Sequence, residues 1–308
     1  MAAEDRPRRG LCGTMEVHER LRESYPRARA QRADVKARMS QSIESGEALR
    51  VLEQPITITA VVHVVYRTDE ENVPDDQVTS QIDVLNRDFR ASNEDRSAVP
   101  EIWQGLVADA NIEFELATED PDGNPTNGIT RTQTERESFG TEGNPVKYTE
   151  AGGIPPWPTD RYLNVWVCNL EGGLLGYAQF PGMPAPETDG VVILYTAFGT
   201  TGTAQEPYNL GRTATHEIGH FLNLFHIWGD SDDCSGTDEV PDTPGAQGPN
   251  VGRPDFPHVS CNNAPNGDMF TNYMDYSDDA AMFMFTPGQV LRMNATLAAE
   301  RATLAGLG

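Results

Sequence analysis

The order of hydrophobic and polar positions along the chain predicts strands and helices that alternate within one body. Residues 56–66 are almost continuously apolar and predict a strand that is buried on both faces. Residues 111–117 alternate between apolar and polar side chains, and the apolar runs 162–168 and 190–195 predict two further strands. Residues 75–90 repeat apolar side chains at helical spacing and predict a helix.

The rest of the pattern divides into helices and long loops. Residues 15–50 are rich in Arg, Ala, Glu and Gln and predict loose helix, while residues 211–222 and 286–304 predict two more helices. Residues 120–160 and 229–285 are dense in Gly, Pro, Asp and Asn, which is typical of loops. A loop region as long as the second needs ions or disulfides to hold it. The predicted fold class is therefore α/β (α+β), with a loop-rich C-terminal part and a closing helix.

Charge separates the chain into a basic head and an acidic body. The 308 residues carry a net charge of −24, yet residues 1–50 hold 11 Lys and Arg against 8 Asp and Glu, whereas residues 51–308 hold 12 against 39. Such an acidic body argues against nucleic acid as a partner, because phosphates need a basic surface. The head either docks on the body or is a solvated basic helix. We expect no membrane span, since no apolar run approaches ~18 residues, and no signal core follows the first residues.

One short stretch carries the pattern of a metal site. His216 and His220 are four residues apart, so a helix places both imidazoles on one face, as two ligands of one zinc ion require. Glu217 is then positioned to take a proton from a zinc-bound water and pass it to a leaving amine. His226 supplies a third ligand only if the helix ends first, because a straight helix would carry it about 15 Å along the axis. Asn223 is the expected turn, since Asn tolerates positive φ. Paired histidines alone arise by chance, but the third His favours a metal centre.

The stretch from 216 to 226 matches the zinc signature of the metzincin clan, His-Glu-x-x-His-x-x-(Gly/Asn)-x-x-His. Together with its flanking residues and residues 272–276, it resembles the bacterial and archaeal branch of the pappalysin family. The resemblance implies a metzincin-like fold: a twisted mixed five-stranded sheet, a backing helix and an active-site helix above the cleft. It also implies that Met274 is an apolar floor below the imidazoles and that Tyr276 stabilises the oxyanion. The alternative for these two residues is a Tyr/Met patch of the core.

The resemblance also implies a disulfide bond and a specificity pocket. Cys234 and Cys261 match a pair that clamps the loop after the zinc helix, and the bridge would contribute roughly 3 kcal/mol in the chain-entropy picture. Asp279 matches an acidic residue at the base of the pocket in Lys/Arg-specific members, where a carboxylate holds a cationic side chain. Asp278 is the alternative pocket residue. The implied cleavage is on the N-terminal side of Arg or Lys.

A calcium site is the second metal site that the resemblance implies. Asp230, Asp238, Asp242 and Thr243, with the carbonyl of Val240, lie in a stretch similar to one through which the family binds calcium. Hard cations need several oxygen ligands, and this loop offers carboxylates, a hydroxyl and carbonyls within a short span. The alternative is a solvated acidic loop. The expected cofactors are therefore Zn²⁺ and Ca²⁺.

The basic head resembles the cysteine-switch segment of metzincin zymogens. Residues 9–14, Arg-Gly-Leu-Cys-Gly-Thr, offer Cys12 as a thiolate ligand that would take the fourth zinc position and exclude water. The alternatives are a disordered tail or a Cys12–Cys168 bridge, although Cys168 lies in an apolar strand and is expected to be a buried free thiol. We expect residues 1–50 to be a prosegment that inhibits its own chain and is removed near residue 50.

These features predict a latent zinc endopeptidase that acts on proteins and peptides. The catalytic domain is expected at residues 51–308, with an upper subdomain at about 51–226 and a lower one at about 227–308. The competing interpretations are a calcium-stabilised binding or adhesion module with a vestigial zinc site, and a zinc hydrolase of small amides. Glu217 argues against the first, and Asp279 with the prosegment argues against the second. A structural disulfide favours secretion into an oxidising compartment.

Overall fold

The computed structural model describes residues 11–51 and 55–307, so Arg9 and Gly10 of the predicted switch motif lie outside the described residues. Within the described ranges the helices are α1 (Thr14–Ser24), α2 (Ala28–Glu44), α3 (Glu47–Val51), α4 (Asp75–Asp88), α5 (Glu101–Gln104), α6 (Arg212–Phe221) and α7 (Pro287–Ala299). The strands are β1 (Ile56–Tyr66), β2 (Ile112–Leu116), β3 (Ile129–Gln133), β4 (Leu163–Cys168), β5 (Gly176–Ala178), β6 (Val191–Leu194), β7 (Val251–Gly252) and β8 (Tyr276–Ser277).

Six of these strands form one mixed sheet in the order β2-β1-β4-β6-β5, and β3 pairs with β1. Ile56–Ala60 of β1 pair with β2 and Val62–Tyr66 pair with β3, so β2 and β3 follow one another along the same edge. The described pairs are parallel except for β5 with β6. The mixed sheet is confirmed, but it has six strands in five positions rather than five strands. Strand β3 escaped prediction because its sequence, Ile-Thr-Arg-Thr-Gln, is polar and partly exposed.

The two faces of the sheet pack against different helices. On one face, Ile58 of β1 belongs to a core that includes Phe89 beside α4 and Ile218 of α6. On the other face, Trp166 of β4 shares a second core with Val17 of α1. Strand β1 contributes to both cores, which confirms the buried strand that its continuous apolar sequence predicts.

The chain between α6 and α7 is rich in loops, as its composition predicts. Within residues 222–286, the regular pairing consists of the two-residue strands β7 and β8. The predicted disulfide between Cys234 and Cys261 is present and closes a span of 27 residues. Helix α7 then begins with a capping box, in which Thr286 accepts the Gln289 N–H and the Gln289 side chain accepts the Thr286 N–H. The disulfide and the cap hold a region that has little regular structure of its own.

Helices α1 to α3 lie on the body, with α1 against β5 and with α2 and α3 against α7. Val35 and Met39 of α2 share a small core with Ala295 of α7. Arg38 donates to both carboxylate oxygens of Glu300, at 2.6 and 2.9 Å. The basic segment therefore contacts the acidic body through apolar and charged side chains. None of the described helices has the length and apolar character that crossing a bilayer requires.

Candidate active site

Helix α6 carries His216 and His220 on one side of the cleft, one turn apart and both buried. The helix ends at Phe221, and Asn223 adopts φ of +75°. This left-handed residue reverses the chain and returns His226 to the other two histidines. The turn predicted at Asn223 is confirmed, and the cause is the tolerance of Asn for positive φ.

The three imidazoles converge through their Nε2 atoms. The separation is 3.2 Å between His216 and His226 and 3.1 Å from His220 to each of them. Each Nδ1 lies beside an oxygen acceptor, which fixes the proton on Nδ1 and leaves the Nε2 lone pairs facing one another. The acceptors are the carbonyl oxygens of Tyr273 and Leu224, both at 2.7 Å, and Oδ1 of Asp230 at 2.6 Å.

This geometry fits a tetrahedral cation. Zinc–nitrogen bonds of about 2.0–2.1 Å place two nitrogens of a tetrahedron about 3.3 Å apart, close to the separations observed here. Cys12 completes the set, since its sulfur and the three ring nitrogens lie within 4.8 Å of one another. Burial lowers the pKa of His216 to about 3, so the ring is neutral and available as a ligand. In the described part of the chain, these four residues are the one group of three or more His, Cys, Asp or Glu arranged for a metal.

Glu217 lies beside this centre and contacts the N-terminal segment. Its carboxylate accepts a hydrogen bond from the Thr14 hydroxyl at 2.8 Å, and the Cys12 sulfur lies 3.5 Å from the same oxygen. Burial raises the pKa of Glu217 to about 8. Gly176 of β5 permits this position, because a Cβ there would lie 2.9 Å from the Cγ of Glu217.

The segment around Cys12 extends the sheet at β5. The Leu175 N–H donates to the carbonyl of Leu11 at 2.8 Å, and the Gly13 N–H donates to the carbonyl of Gly176 at 2.9 Å. The segment runs parallel to β5 at this point. Cys12 and Cys168 are both free, and Cys168 is buried as expected, so the alternative bridge between them is absent.

Met274 lies directly against helix α6, which carries His216 and His220. It is fully buried, and its N–H donates to Oδ1 of Asn272 at 2.9 Å. A Cβ at Gly219 of α6 would lie 2.4 Å from the Met274 sulfur, so only glycine allows this approach. The Tyr276 ring stands 4.9 Å from that of His226, edge to face, and burial raises the pKa of its hydroxyl well above the usual range.

A pocket opens beside His216 and Glu217, and Asp279 is part of its lining. Asp279 is 2 % exposed, and its Oδ2 accepts the N–H of Leu210 at 2.8 Å and that of Arg212 at 3.2 Å. Burial raises the pKa of Asp279 to about 7. Asp278 does not line this pocket and lies 3.8 Å from Arg253. Of the two candidates, Asp279 is the one that lines this pocket beside the histidines, and its role in specificity stays a prediction.

The comparisons with known proteins agree with this geometry. Residues 154–298 match the Peptidase_M43 family, described as Pregnancy-associated plasma protein-A. An extracellular metalloprotease of Arthroderma benhamiae is 31 % identical over 80 % of this chain and 79 % of its own length. One from Podospora anserina is 30 % identical over 95 % of this chain and 91 % of its own length. The chain belongs to the pappalysin family.

Two solved pappalysin structures share the fold. Promirolysin of Tannerella forsythia, a Glu-to-Ala mutant, is 46 % identical with a TM-score of 0.88 and covers 96 % of each chain. Mature mirolysin in complex with a cleaved peptide is 52 % identical with a TM-score of 0.80, over 82 % of this chain and 96 % of that one. The family confirms a metalloendopeptidase and a metzincin fold, and it sets aside the adhesion-module and small-amide interpretations.

The carboxylates of the predicted calcium stretch in this pappalysin are engaged with protein donors. Asp238 accepts the N–H of Val240 at 3.0 Å and the Thr243 hydroxyl at 2.8 Å. Asp242 accepts the Thr286 hydroxyl at 2.7 Å and the Gly288 N–H at 2.8 Å, at the first turn of α7. Asp230, placed in the same stretch by the resemblance, orients His226 instead. Calcium binding stays a prediction.

Sequence reasoning missed three contributors to the pappalysin site. Thr14 gave no signal beyond its position two residues after Cys12, since its partner Glu217 is 203 residues away. Asp230 follows His226 by four residues, a spacing that could have indicated a ring-orienting acceptor. Arg212 begins the metal helix, but its buried partners lie far away in the chain and leave no local pattern.

Proposed function

We propose that this pappalysin is a zinc-dependent endopeptidase, produced in a latent form, that cleaves proteins on the N-terminal side of Arg or Lys. The observation that carries the proposal is the convergence of the Nε2 atoms of His216, His220 and His226, with every Nδ1 proton directed outward. Zinc held by these residues would make a bound water more acidic and polarise the scissile carbonyl.

Glu217 is the proposed general acid and base. Its carboxylate lies next to the metal ligands and is directed toward Cys12, so a water in the place of the Cys12 sulfur would be within its reach. Glu217 would take the proton from that water and transfer it to the leaving amine. Tyr276, packed against His226, is the proposed donor to the oxyanion, and Met274 the apolar floor of the site.

Asp279 is the proposed determinant of specificity. It lines the pocket beside Glu217, and its Oδ2 is fixed by two backbone N–H groups. A carboxylate held in this way would accept a charge-assisted hydrogen bond from the head group of Arg or Lys. The mirolysin complex contains a cleaved peptide, which supports a peptide-binding role for the same cleft.

Latency is proposed to come from two contacts of the segment 1–50 with the catalytic domain 51–308. Cys12 would supply the fourth metal ligand, since its sulfur lies within 4.8 Å of the three ring nitrogens, and the Thr14 hydroxyl donates to the carboxylate of Glu217. Arg50 is exposed near the end of α3, which supports removal of the segment by self-cleavage before this residue. The likeness to promirolysin supports a zymogen.

Secretion and calcium binding complete the proposal. The fungal relatives are named extracellular metalloproteases, and the Cys234–Cys261 disulfide is typical of an oxidising compartment. Calcium would bind the stretch around Asp238 and Asp242, where carboxylates, a hydroxyl and a carbonyl lie close together.

The test is to incubate a denatured protein mixture with the protein after removal of the segment, and to sequence the new N-termini with and without a zinc chelator. We expect termini that begin with Arg or Lys, that disappear with chelator, and that are absent with Glu217→Gln although this variant retains zinc. Cleavage that survives the chelator would exclude the zinc mechanism. Termini without a preference for basic residues would exclude the role of Asp279, and an active preparation that keeps Cys12 would exclude the latency mechanism.

A further inference from the structure

Arg212, the first residue of the metal helix α6, is 6 % exposed and lies within a buried polar network. Its Nη1 donates to the Tyr273 hydroxyl at 2.8 Å and to the carbonyl of Met282 at 2.9 Å. Its Nη2 contacts both carboxylate oxygens of Asp95, at 3.1 and 3.3 Å, and Asp88 lies 3.2 Å from Nη1. The charge of the buried guanidinium is therefore balanced by two carboxylates from outside α6.

Two of these contacts, to Tyr273 and to Met282, lie at opposite ends of the segment 273–282. Tyr273 is the residue whose carbonyl accepts the Nδ1 proton of His216, at 2.7 Å. Met282 ends the short turn that contains Asp279, and the backbone N–H of Arg212 itself donates to Asp279 at 3.2 Å. The segment between these ends carries Met274 and Tyr276. The Arg212 side chain thus links Tyr273, which orients the metal ligand His216, to Met282, which lines the pocket together with Asp279.

The shape of the guanidinium explains why Arg is found here. Its planar fork presents five donors in a fixed geometry, so it reaches the Tyr273 hydroxyl, the Met282 carbonyl and Asp95 at the same time. A Lys ammonium is a point charge on a flexible stem and keeps the charge without this arrangement. The substitution of Arg by Lys therefore separates the geometric contribution from the electrostatic one.

We propose that Arg212 is a positioning residue that fixes the metal ligand His216 and the Asp279 pocket relative to each other. The effect of Arg212 on the Asp279 pocket rests on the proposed function, whereas its effect on His216 rests only on the metal centre. Arg212 is not one of the residues grouped for the metal, and although it is part of the pocket lining, its guanidinium is engaged by Tyr273, Met282 and Asp95. It acts through the Tyr273 carbonyl on one side and through the 279–282 turn on the other.

The experiment compares Arg212→Lys and Tyr273→Phe with Arg301→Lys in the full chain. Arg301 is a matched control: it is equally buried, pairs with both oxygens of Asp189 at 2.6 and 3.0 Å, and donates to the carbonyl of Phe221 at the other end of α6. Zinc affinity is measured by chelator competition on the intact chain. After removal of the segment, KM and kcat are measured for peptides with Arg or Leu after the scissile bond.

We expect Arg212→Lys to weaken zinc binding roughly tenfold, the low end of the effect of losing a ligand's direct hydrogen-bond partner, because the Tyr273 carbonyl remains but is less firmly positioned. It should also raise KM for the Arg peptide more than for the Leu peptide. Tyr273→Phe, which removes one hydroxyl, should shift zinc affinity in the same direction by less, and Arg301→Lys should lower thermal stability with neither shift. If Arg212→Lys fails to fold, the zinc affinity of Tyr273→Phe decides whether this network positions His216.

Unchanged zinc affinity in Tyr273→Phe and Arg212→Lys would overturn the proposal, as would equal shifts in Arg301→Lys. If wild type shows no preference for Arg, the proposed specificity has failed, but the zinc affinities still test whether Arg212 positions His216.

Discussion

Two stretches of this chain offer metal ligands, and they differ in whether protein donors already satisfy the ligand atoms. Between His216 and His226, three ring nitrogens lie 3.1–3.2 Å apart with no protein proton between them. Between Asp238 and Thr243, the carboxylates meet N–H and O–H donors of the protein. The first stretch leaves its ring nitrogens without donors, and the second supplies a donor to each carboxylate oxygen of Asp238 and Asp242.

The difference indicates how strongly each stretch needs a cation. Buried acceptors that face one another are unfavourable unless a positive charge lies between them, and burial disfavours a proton there, since it lowers the pKa of His216 to about 3. Carboxylates that accept hydrogen bonds from backbone N–H groups and hydroxyls are stabilised by the protein alone. We therefore expect the histidine centre to depend on its metal, and the aspartate stretch to keep much of its structure without one.

The largest effect is expected where no protein donor can replace the metal. His226→Ala should reduce bound zinc below one ion per chain and abolish peptide cleavage, because two imidazoles do not hold a catalytic zinc. The control is His258→Ala, since His258 pairs with Asp268 at 3.2 Å but lies outside the centre. Metal analysis after dialysis, together with a cleavage assay, checks both. Full zinc content in His226→Ala would contradict the inference that the histidine centre depends on all three rings to hold its metal.

Asp279 is the intermediate case, with one oxygen held by backbone donors and the pocket beside it. Asp279→Asn should lower kcat/KM for an Arg peptide about 10–100-fold, as loss of a charge-assisted hydrogen bond predicts, and leave a Leu peptide unchanged. Burial raises the pKa of Asp279 to about 7, against the hydrogen bonds from the Leu210 and Arg212 N–H groups, so the carboxyl group is mostly neutral below this pH and mostly negative above it. Preference for Arg should therefore grow as pH rises through about 7 and be flat in Asp279→Asn. An unchanged preference in Asp279→Asn and a lost one in Asp278→Asn would move the pocket to Asp278.

Thr14 donates a hydrogen bond to Glu217 beside the histidine centre, as protein donors do to the carboxylates of the aspartate stretch. Thr14→Val keeps the shape but removes the hydroxyl that donates to Glu217 and accepts the N–H of Ala178. A hydrogen bond to a charged carboxylate is worth about 1.5–3 kcal/mol, so activity should appear at least tenfold faster. Cys12→Ser should accelerate activation further. Ser42→Ala is the control, since Ser42 is buried in the same segment and its hydroxyl has no partner among the described residues. Equal activation times in Thr14→Val and wild type would show that Cys12 alone maintains latency.

The smallest effect tests whether the aspartate stretch needs calcium. Asp242→Ala removes the acceptor of the Gly288 N–H at the start of α7, which should lower stability by about 1–2 kcal/mol, as loss of a helix cap does. Thermal unfolding in excess chelator and in calcium measures this loss. The same loss in both conditions would assign the carboxylate to the helix cap. A calcium-induced rise in the wild-type Tm that disappears in Asp242→Ala would assign it to calcium.

Much of the fold followed from local pattern. Strand β1, helix α4 and helix α6 lie where periodicity predicts them, because one buried face or two impose a regular spacing of apolar residues. Strand β3 has a polar edge sequence, and β5 is three residues long, so neither carries a pattern that distinguishes it from a loop. Their pairing depends on neighbours in the sheet, which local sequence does not contain.

The candidate site shows the same division. The spacing of His216, His220 and His226 predicts the convergence of their rings, because a helix and one left-handed residue fix that geometry locally. The contacts of Thr14 with Glu217 and of Arg212 with Tyr273 join parts of the chain 203 and 61 residues apart. No periodicity or spacing encodes such pairs.

The sequence by itself determined the metal signature, the turn at Asn223 and the buried elements around them, since each depends on interactions within a few residues. Only the tertiary structure decided which acceptors receive protein donors. It brought Asp242 to the Gly288 N–H of α7, Asp230 to the ring of His226 and Thr14 to Glu217. A carboxylate has the same composition whether it faces a cation, a helix end or a hydroxyl, and packing alone brings one of these partners to it.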